Sequence, residues 1–352
     1  MSQLTRREFI RMLAAGSGAV TLQQILAACG IKPTDLMQPT TTLPAPNQPP
    51  QAVAPSANPS ATTGETSPSA PTSTTENPTS LPAGAADVVV AHGSDPETIV
   101  RRALAAFGGM EKFVPKDASV IIKPNICVAY HTYEYAATTN PWVVAALVKC
   151  CLEAGARSVQ VMDFPFGGTA EQAYVRSGIA EQVQAAGGEM VFMPQFKYVS
   201  AEIPQGVDLK KTKVFGDALE ADVLIDVPIA KHHGQARLTL GMKNLMGLVL
   251  NRSAIHANLG QRIADLTSLF RPTLTVVDAV RILMAHGPTG GDLGDVKQLD
   301  TVIVSPDIVA ADSYATTLFG LRPEAIDYIP AATAMGLGRS DLQGLKIEEI
   351  MV

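Results

Sequence analysis

Short apolar segments alternate with helical segments from residue 86 onward, and this alternation constrains the fold more than any other feature of the sequence. The strand-like segments cover residues 87–91, 118–122, 158–162, 189–193, 222–227, 273–277 and 301–304. The helical segments between and after them cover residues 95–107, 141–154, 169–186, 258–270 and 307–319. Because the strand segments are almost continuously apolar, both of their faces must be buried. We therefore predict an α/β fold with a mostly parallel sheet and helices on both faces.

The composition separates a polar segment, residues 30–85, from the folded domain that follows it. Residues 30–85 consist largely of Pro, Thr, Ser, Ala, Gln and Asn, and they cannot bury enough apolar surface to offset the cost of ordering. We expect a disordered N-terminal stalk there and a folded α/β domain over residues 86–352. Within that domain, residues 231–256 are rich in Gly, Lys, Asn and His, which predicts a loop-and-helix insertion beside the sheet.

Residues 1–29 have the order of features found in an exported lipoprotein. Arg6 and Arg7 lie in a segment that resembles a twin-arginine export motif, and the weakly apolar run that follows is too short and polar to form a stable membrane span. The run ends in Leu-Ala-Ala-Cys, which resembles a lipobox with Cys29 as the lipidated residue. We predict a protein exported in the folded state and anchored by lipid on Cys29 to the extracytoplasmic side of the cell membrane. An ordinary amphipathic N-terminal helix is the alternative.

Charge and cysteine content exclude two classes of protein. The formal net charge is −6, whereas binding to nucleic-acid phosphates requires clustered Lys and Arg, so we expect no nucleic-acid partner. Apart from Cys29 the chain contains Cys127, Cys150 and Cys151, an odd number that does not form a disulfide framework. Cys127 is interpreted either as a nucleophile near Lys123 or as a small buried apolar residue.

Polar residues follow several of the predicted strands at the point where each strand ends. In open α/β sheets, ligands bind beyond the carboxyl ends of the strands. The residues at these ends include Lys123, Asn125, Asp163, Lys231, His232, Asp278 and Ser305. We therefore expect a single cleft at one edge of the sheet. The glycine pairs at 167–168 and 290–291 match no phosphate-binding spacing and are interpreted as turns.

Several of these segments resemble the bacterial and archaeal family called domain of unknown function 362. The resemblance is carried mainly by Lys-Pro-Asn at 123–125, by residues 222–231 and by Met-Lys-Asn-Leu-Met-Gly at 242–247, and it extends over residues 88–338. The family has no settled activity. Many of its members carry a ferredoxin-type insert with repeated Cys-x-x-Cys spacing that binds iron–sulfur clusters. This sequence lacks that spacing, so the resemblance implies no iron–sulfur cluster.

Basic and amide side chains near the predicted cleft indicate an anionic ligand. The predicted ligand-binding residues are Lys123, Asn125, Asp163, Lys231, Lys243 and Asn244, with Arg252 as a further cation. Ammonium and guanidinium groups form strong charge-assisted hydrogen bonds with carboxylates and phosphates. The ligand class is therefore a small carboxylate or phosphate. The alternative is a set of surface lysines on a solvated loop.

Histidines and aspartates near the cleft suggest proton transfer or metal binding. His232, His256 and Asp278 are the predicted catalytic residues, and His232, His256 and Asp163 are the predicted ligands of a divalent metal. Capping or core histidines are the alternative interpretation.

Two functions are consistent with these patterns. One is a metal-assisted enzyme that acts on a small anionic substrate, and the other is a non-catalytic, surface-tethered ligand-binding protein. The sequence names neither a protein partner nor an oligomeric state.

Overall fold

A computed structural model describes residues 86–352 of the 352-residue chain. The predicted signal peptide of residues 1–29, its lipid site Cys29 and the predicted stalk of residues 30–85 lie outside the described residues. Within residues 86–352, no helix combines the length and the apolar character needed to cross a membrane.

Strands and helices alternate over residues 88–190, as the sequence predicts, whereas several later strands follow one another without an α-helix between them. The strands are β1 (Val88–His92), β2 (Ser119–Pro124), β3 (Ser158–Val161), β4 (Glu189–Met190), β5 (Tyr198–Glu202), β6 (Lys211–Phe215), β7 (Val223–Val227), β8 (Ile229–His233), β9 (Arg237–Thr239), β10 (Leu274–Leu283), β11 (Val296–Ser305) and β12 (Ile347–Met351). The α-helices are α1 (Pro96–Ala106), α2 (Pro141–Glu153), α3 (Ala170–Arg176), α4 (Ile179–Ala185), α5 (Asp217–Glu220), α6 (Gly241–Asn244), α7 (Arg252–His256), α8 (Leu259–Phe270), α9 (Ile308–Thr317) and α10 (Tyr328–Ala334).

Most of the strands belong to one mixed sheet. Its spatial order is β12-β1-β11-β10-β7-β2-β3-β4, with β8 paired to β10 and β9 paired to β8. The strands from β10 through β7, β2 and β3 to β4 are all parallel to their neighbours. Antiparallel pairing occurs between β1 and β11, β10 and β11, and β8 and β9. The sheet is therefore mostly parallel, which confirms the predicted fold class.

The strands bury apolar side chains on both faces of the sheet. On β1, Val88 and Val90 belong to one hydrophobic core, whereas Val89 and Ala91 belong to the other. Successive side chains of a strand point to opposite faces, so the two cores lie on the two sides of the sheet. Helices α1 to α4 contribute to the second core, and α6, α8, α9 and α10 contribute to the first. The prediction of helices on both faces is thus confirmed.

Local sequence signals set the helix starts. The Asp95 side chain accepts a hydrogen bond from the backbone N–H of Thr98 at 2.8 Å, and Pro96 opens α1. Asn140 caps α2 in the same way, and Pro141 is its first residue. A capping side chain satisfies a backbone donor that has no partner inside the helix, and proline fits the first turn because it lacks that donor.

The region of residues 231–256 matches its loop-and-helix prediction over residues 241–256 and differs from it over residues 231–239. β8 includes Lys231 and His233 and pairs with β10, so residues 231–239 are part of the sheet rather than an insertion beside it. The prediction was wrong here because Lys and His interrupt the apolar pattern of a buried strand. β10 also continues to Leu283, beyond the predicted end at residue 277.

Candidate functional site

A cavity of about 450 Å³ lies at the carboxyl ends of the central strands. Lys123 lies near the end of β2, Asp163 follows β3, and Lys231 lies on β8, which comes directly after β7 in the chain. Lys243 and Asn244 come from the single-turn helix α6. Since β2, β3 and β7 run in the same direction, their ends meet at one edge of the sheet.

The structure brings most of the predicted site residues to this cavity. Its walls include Lys123, Asn125, Asp163, Lys231, Lys243, Asn244 and His256. His232 and Asp278 do not line it. The chemical roles that the sequence suggests for all these residues stay predictions.

Lys123 and Asp163 form a buried ion pair in the cavity wall. Lys123 Nζ lies 2.9 Å from Asp163 Oδ1, and the two side chains are 1% and 5% exposed. Lys123 also donates to the Pro124 carbonyl and to Asn244 Oδ1, each at 2.8 Å. The other oxygen of Asp163 accepts the backbone N–H of Ile126 at 2.6 Å. Buried charges are tolerated when they are paired and hydrogen-bonded. Lys123 and Asp163 meet this condition through contacts within the protein, without a ligand.

The backbone at Gly247 lies so close to this ion pair that a side chain at this position would collide with it. A Cβ atom at Gly247 would lie 2.1 Å from Asp163 Oδ1 and 2.6 Å from Lys123 Nζ. The side chains of Lys123 and Asp163 therefore occupy the space that a larger residue at this position would need.

Lys231 is buried and bound by neutral oxygens. Its Nζ donates to Asn125 Oδ1 at 2.9 Å, to the Ala137 carbonyl at 2.7 Å and to the Pro288 carbonyl at 2.9 Å. These contacts use all three donors of an ammonium group. Burial lowers the pKa of Lys231. Within residues 86–352 no carboxylate forms an ion pair with Lys231, so it leaves a positive charge in the wall.

Asn244 links the two buried lysines through a hydrogen-bond network. Its Oδ1 accepts from Lys123 Nζ and from Asn125 Nδ2, the latter at 2.9 Å. Its Nδ2 donates to Asp226 Oδ1 at 2.8 Å. Burial raises the pKa of Asp226 well above its ordinary value, which favours the neutral carboxylic acid. The network therefore fixes the positions of Asn125 and Lys231 from inside the core.

Lys243 differs from the other two lysines because its ammonium lacks an oxygen acceptor. The residue is 8% exposed, and its one hydrogen-bond contact within the described chain is Met246 Sδ at 3.7 Å. A thioether is a weak acceptor. Burial, followed by the nearby charge of Lys231, lowers the pKa of Lys243 to about 8.

Arg252 adds a second cation whose hydrogen bonds are incompletely used. Its guanidinium carbon lies 4.7 Å from the centre of the Phe164 ring, and the group donates to the Phe164 carbonyl oxygen. No other oxygen within the described residues accepts from this guanidinium. His256 contacts the Arg252 carbonyl through Nδ1 at 2.9 Å. Since a carbonyl can only accept, Nδ1 of His256 carries the proton and Nε2 of the neutral ring keeps its lone pair.

His233, rather than His232, lines the cavity. Nδ1 of His233 accepts the backbone N–H groups of Gln235 and Ala236 at 3.1 and 3.2 Å, so the ring proton of the neutral form is on Nε2. Burial, with the charge of Lys243, lowers the pKa of His233 to about 3. His232 instead accepts the backbone N–H of Gly287 at 3.1 Å. The alternation of a strand could have identified His233, because it lies on the same face as Lys231.

Asp278 stabilises the start of α2 and does not reach the cavity. Its two oxygens accept the backbone N–H groups of Asn140 at 2.7 Å and Val280 at 3.0 Å. Burial raises its pKa to about 7. The sequence placed Asp278 at a strand end, but β10 continues past it, so the carboxyl group is enclosed in the middle of the sheet.

The family comparison covers all the elements that build this cavity. A family model described as "Domain of unknown function (DUF362)" matches residues 120–317, more than half of the chain. The chain belongs to the DUF362 family. This confirms the family resemblance, although the matched segment is shorter than residues 88–338, and the description of DUF362 names no activity.

Three individual proteins similar to this DUF362 chain each cover about two thirds of it. The thylakoid-associated protein sll1697 of Synechocystis sp. is 28% identical over 247 residues, which are 68% of this chain and 74% of that protein. The lactate racemase apoprotein of Thermoanaerobacterium thermosaccharolyticum is 15% identical with a TM-score of 0.42, over 68% of this chain and 58% of that chain. A Thermotoga maritima protein is 11% identical with a TM-score of 0.34, over 65% and 60%. The chain thus spans less than two thirds of either solved structure.

The donor atoms around the DUF362 cavity do not fit the predicted metal site. Within residues 86–352, no three side chains of His, Cys, Asp or Glu lie close enough together to hold a metal ion. The predicted set of His232, His256 and Asp163 is not assembled, because Asp163 is held by Lys123 and His232 faces Gly287. Burial raises the pKa of Cys127, which favours its thiol form.

Proposed function

We propose that this DUF362 protein is exported and lipid-anchored, and that its cavity binds a small anionic ligand carrying a carboxylate or a phosphate group. The observation that carries the binding proposal is Lys243, a buried ammonium at the cavity whose one contact in the described chain is a thioether. A buried cation without an oxygen acceptor is costly, and an anionic ligand supplies the missing partner.

The charge balance of the walls supports an anion. Asp163 is the acidic residue among the side chains lining the cavity, and it is already paired with Lys123. Lys231, Lys243 and Arg252 therefore leave an excess of positive charge. Because the site is partly enclosed by protein, this charge attracts anions more strongly than surface lysines do.

The uncharged part of the wall limits the rest of the ligand. Phe164, Phe166 and Met246 line the cavity together with the cations. A volume of about 450 Å³ is at the small end of ligand sites. The arrangement suits a compact organic acid or phosphate ester with a short apolar part.

The anchoring proposal rests on the sequence of the N-terminal segment. The paired arginines Arg6 and Arg7, the short apolar run and the lipobox at Cys29 stand in the order that export and lipidation require. A relative named as thylakoid-associated is consistent with a protein that works at a membrane. Lipid chains hold a protein to a bilayer through the transfer of their methylene groups out of water.

Thermal unfolding of the full chain tests ligand binding. Acetate, succinate and inorganic phosphate are compared with sodium chloride at equal ionic strength, because binding to the native state raises the unfolding temperature with ligand concentration. We expect at least one of these anions to stabilise the protein, and Lys243→Met to remove that response. Lys116→Met, at an exposed lysine, is the control and retains it. Equal responses of Lys243→Met and the unmodified protein would contradict the proposal.

Fatty-acid labelling tests anchoring. The full chain, expressed in a bacterium that supports twin-arginine export, is grown with an alkyne fatty acid and its membrane fraction is analysed. Cys29→Ser should abolish labelling, Cys150→Ser should retain it, and paired Arg6→Lys and Arg7→Lys changes should leave unprocessed precursor in the cytoplasm. Persistent labelling of Cys29→Ser would show that the lipid site is wrong.

Binding of an anion fits both an enzyme and a non-catalytic carrier, and the chemistry of Lys243 separates these two.

A further inference from the structure

The amine of Lys243 has the surroundings of a nucleophile. Its helix α6 places Nζ at the cavity, and Met246 Sδ at 3.7 Å is its one hydrogen-bond contact in the described chain. Burial and the charges of Lys231 and Arg252 disfavour the protonated form and lower the pKa to about 8. About a tenth of the population is therefore the free amine at roughly pH 7 and about half at roughly pH 8, and the lone pair of that fraction is available for attack.

The other buried lysines are not equivalent nucleophiles. Lys123 donates to two oxygens and forms an ion pair with Asp163, and Lys231 donates to three oxygens. Oxygens of the protein already occupy all three hydrogen-bond positions of each of these nitrogens, so an attacking geometry toward a ligand would require breaking those contacts. Lys243 is thus the lysine in this wall that is free to react.

Arg252 provides a carboxylate anchor next to this amine. The guanidinium is fixed against the Phe164 ring and by one hydrogen bond to the Phe164 carbonyl, while its other donors have no oxygen partner among the described residues. A guanidinium binds a carboxylate through two parallel hydrogen bonds. In a 2-oxo acid, the carbonyl carbon is directly bonded to the carboxylate carbon, so anchoring the acid at Arg252 brings an electrophilic carbon into the cavity that Lys243 lines.

We propose that Lys243 forms an imine with small 2-oxo acids held in this cavity, an inference that rests on the proposed anion-binding function. The free amine adds to the carbonyl carbon to give a carbinolamine. That intermediate then loses water: the carbonyl oxygen leaves with two hydrogens, both originally on the amine nitrogen, and a C=N bond replaces the C=O bond. The step consumes no oxidant or reductant.

Two histidines at the cavity are suited to the proton movements of this step. The ring of His233 carries its proton on Nε2 and can donate a hydrogen bond to the carbinolamine oxygen while keeping that proton. The ring of His256 donates Nδ1–H to the Arg252 carbonyl and keeps a lone pair on Nε2, which can accept a proton from the nitrogen and pass it to the departing oxygen. The cavity therefore contains one hydrogen-bond donor and one proton carrier, and both hydrogens of the released water still come from the amine.

Reductive trapping of the full chain tests the imine. The protein is incubated with pyruvate and sodium cyanoborohydride, and modified peptides are identified by mass spectrometry. We expect one reduced pyruvate adduct, located on Lys243, and faster trapping as the pH rises through about 8. Lys243→Arg keeps a cation but removes the amine, so it should lose the adduct, whereas Lys116→Arg at an exposed position should retain it. Adducts spread equally over exposed lysines would overturn the inference.

Propionate, which has the carboxylate but no ketone, separates this inference from the anion-binding function. If propionate stabilises the protein and pyruvate leaves no adduct on Lys243, the anion site stands and the imine is wrong. If neither occurs, the anion-binding function itself fails. Circular dichroism of Lys243→Arg shows that a lost adduct reflects the missing amine and not an unfolded protein, and an adduct at Lys243 in the unmodified protein supports the imine directly.

Discussion

The cavity wall contains two regions that hold buried lysines in opposite ways. In the region built by β2 and β8, Lys123 and Lys231 are each surrounded by three oxygen partners from the protein. In the region built by α6, Lys243 is almost as buried, but its one hydrogen-bond contact among residues 86–352 is a thioether. Burial alone therefore does not mark a ligand-binding residue. The distinguishing feature is whether the buried charge already has its hydrogen bonds.

The difference has an energetic reason. A satisfied ammonium recovers much of the hydration that it loses on folding, so removing it leaves its acceptors without a partner. An unsatisfied ammonium has lost hydration without such recovery, so removing it costs little or stabilises the protein. The first region should therefore determine stability and the second should determine binding.

Lys123→Met should have the largest effect on stability. It leaves Asp163 buried with no cation beside it and leaves Asn244 Oδ1 with one donor fewer. Breaking a buried ion pair from one side typically costs about 3–5 kcal/mol. The free energy of unfolding, measured by denaturant titration, should fall by that amount.

A double variant makes this prediction specific to the ion pair. Lys123→Met combined with Asp163→Leu removes both charges, so part of the lost stability should return. If the single variant is as stable as Lys116→Met, the ion pair does not support the wall and the contrast between the two regions disappears.

Gly247→Ala should destabilise the same region to a smaller extent. Its Cβ would lie 2.1 Å from Asp163 Oδ1, so the ion pair or the backbone after α6 must move. Crowding of a packed core by one methyl group costs about 1–3 kcal/mol. Gly291→Ala is the matched control, since no heavy atom lies within 4 Å of its added Cβ. Equal unfolding free energies for the two variants would show that the pair has room to shift.

The fold could be predicted from the sequence because its signals are local. The predicted apolar strands begin within a few residues of the observed ones, and the helix caps at Asp95 and Asn140 bind backbone groups only two or three residues further along the chain. The sequence did not predict β5, β6, β8, β9 or β12, and two of these strands, β8 and β9, contribute side chains to the cavity wall. On β8, Lys231 and His233 line the cavity. Strands were predicted from runs of apolar residues, so these polar side chains prevented the prediction of β8.

The site could be predicted only in part, because the type of a residue does not reveal which groups form hydrogen bonds or ion pairs with it. Strand ends located Lys123, Asp163 and Lys231, but the same rule wrongly placed Asp278 in the cavity, since it depends on where β10 ends. The distinction between Lys231 and Lys243 depends on backbone carbonyls from distant segments, such as Pro288. No local pattern in the sequence contains that information.

Affinity for an anion should depend on pH through Lys243. Its pKa of about 8 means that the ammonium is present below this pH and is lost above it. Apparent affinity follows the fraction of protein in the binding form, so binding should weaken about tenfold between roughly pH 7 and pH 9. His233, with a pKa lowered to about 3, stays neutral across this range and does not contribute. Titration with acetate, which is ionised throughout, measures the effect, and Lys243→Arg should abolish it.

Lys243→Met should have the smallest effect on stability and is for that reason the sharpest test of the comparison. The ammonium makes no hydrogen bond to oxygen in the described chain, and methionine fills a similar volume beside Met246. Without ligand, the free energy of unfolding should stay within about 1 kcal/mol of the unmodified protein or rise slightly. A loss as large as that of Lys123→Met would mean that Lys243 has a structural partner, and the division of the wall into a structural and a ligand-binding region would then be wrong.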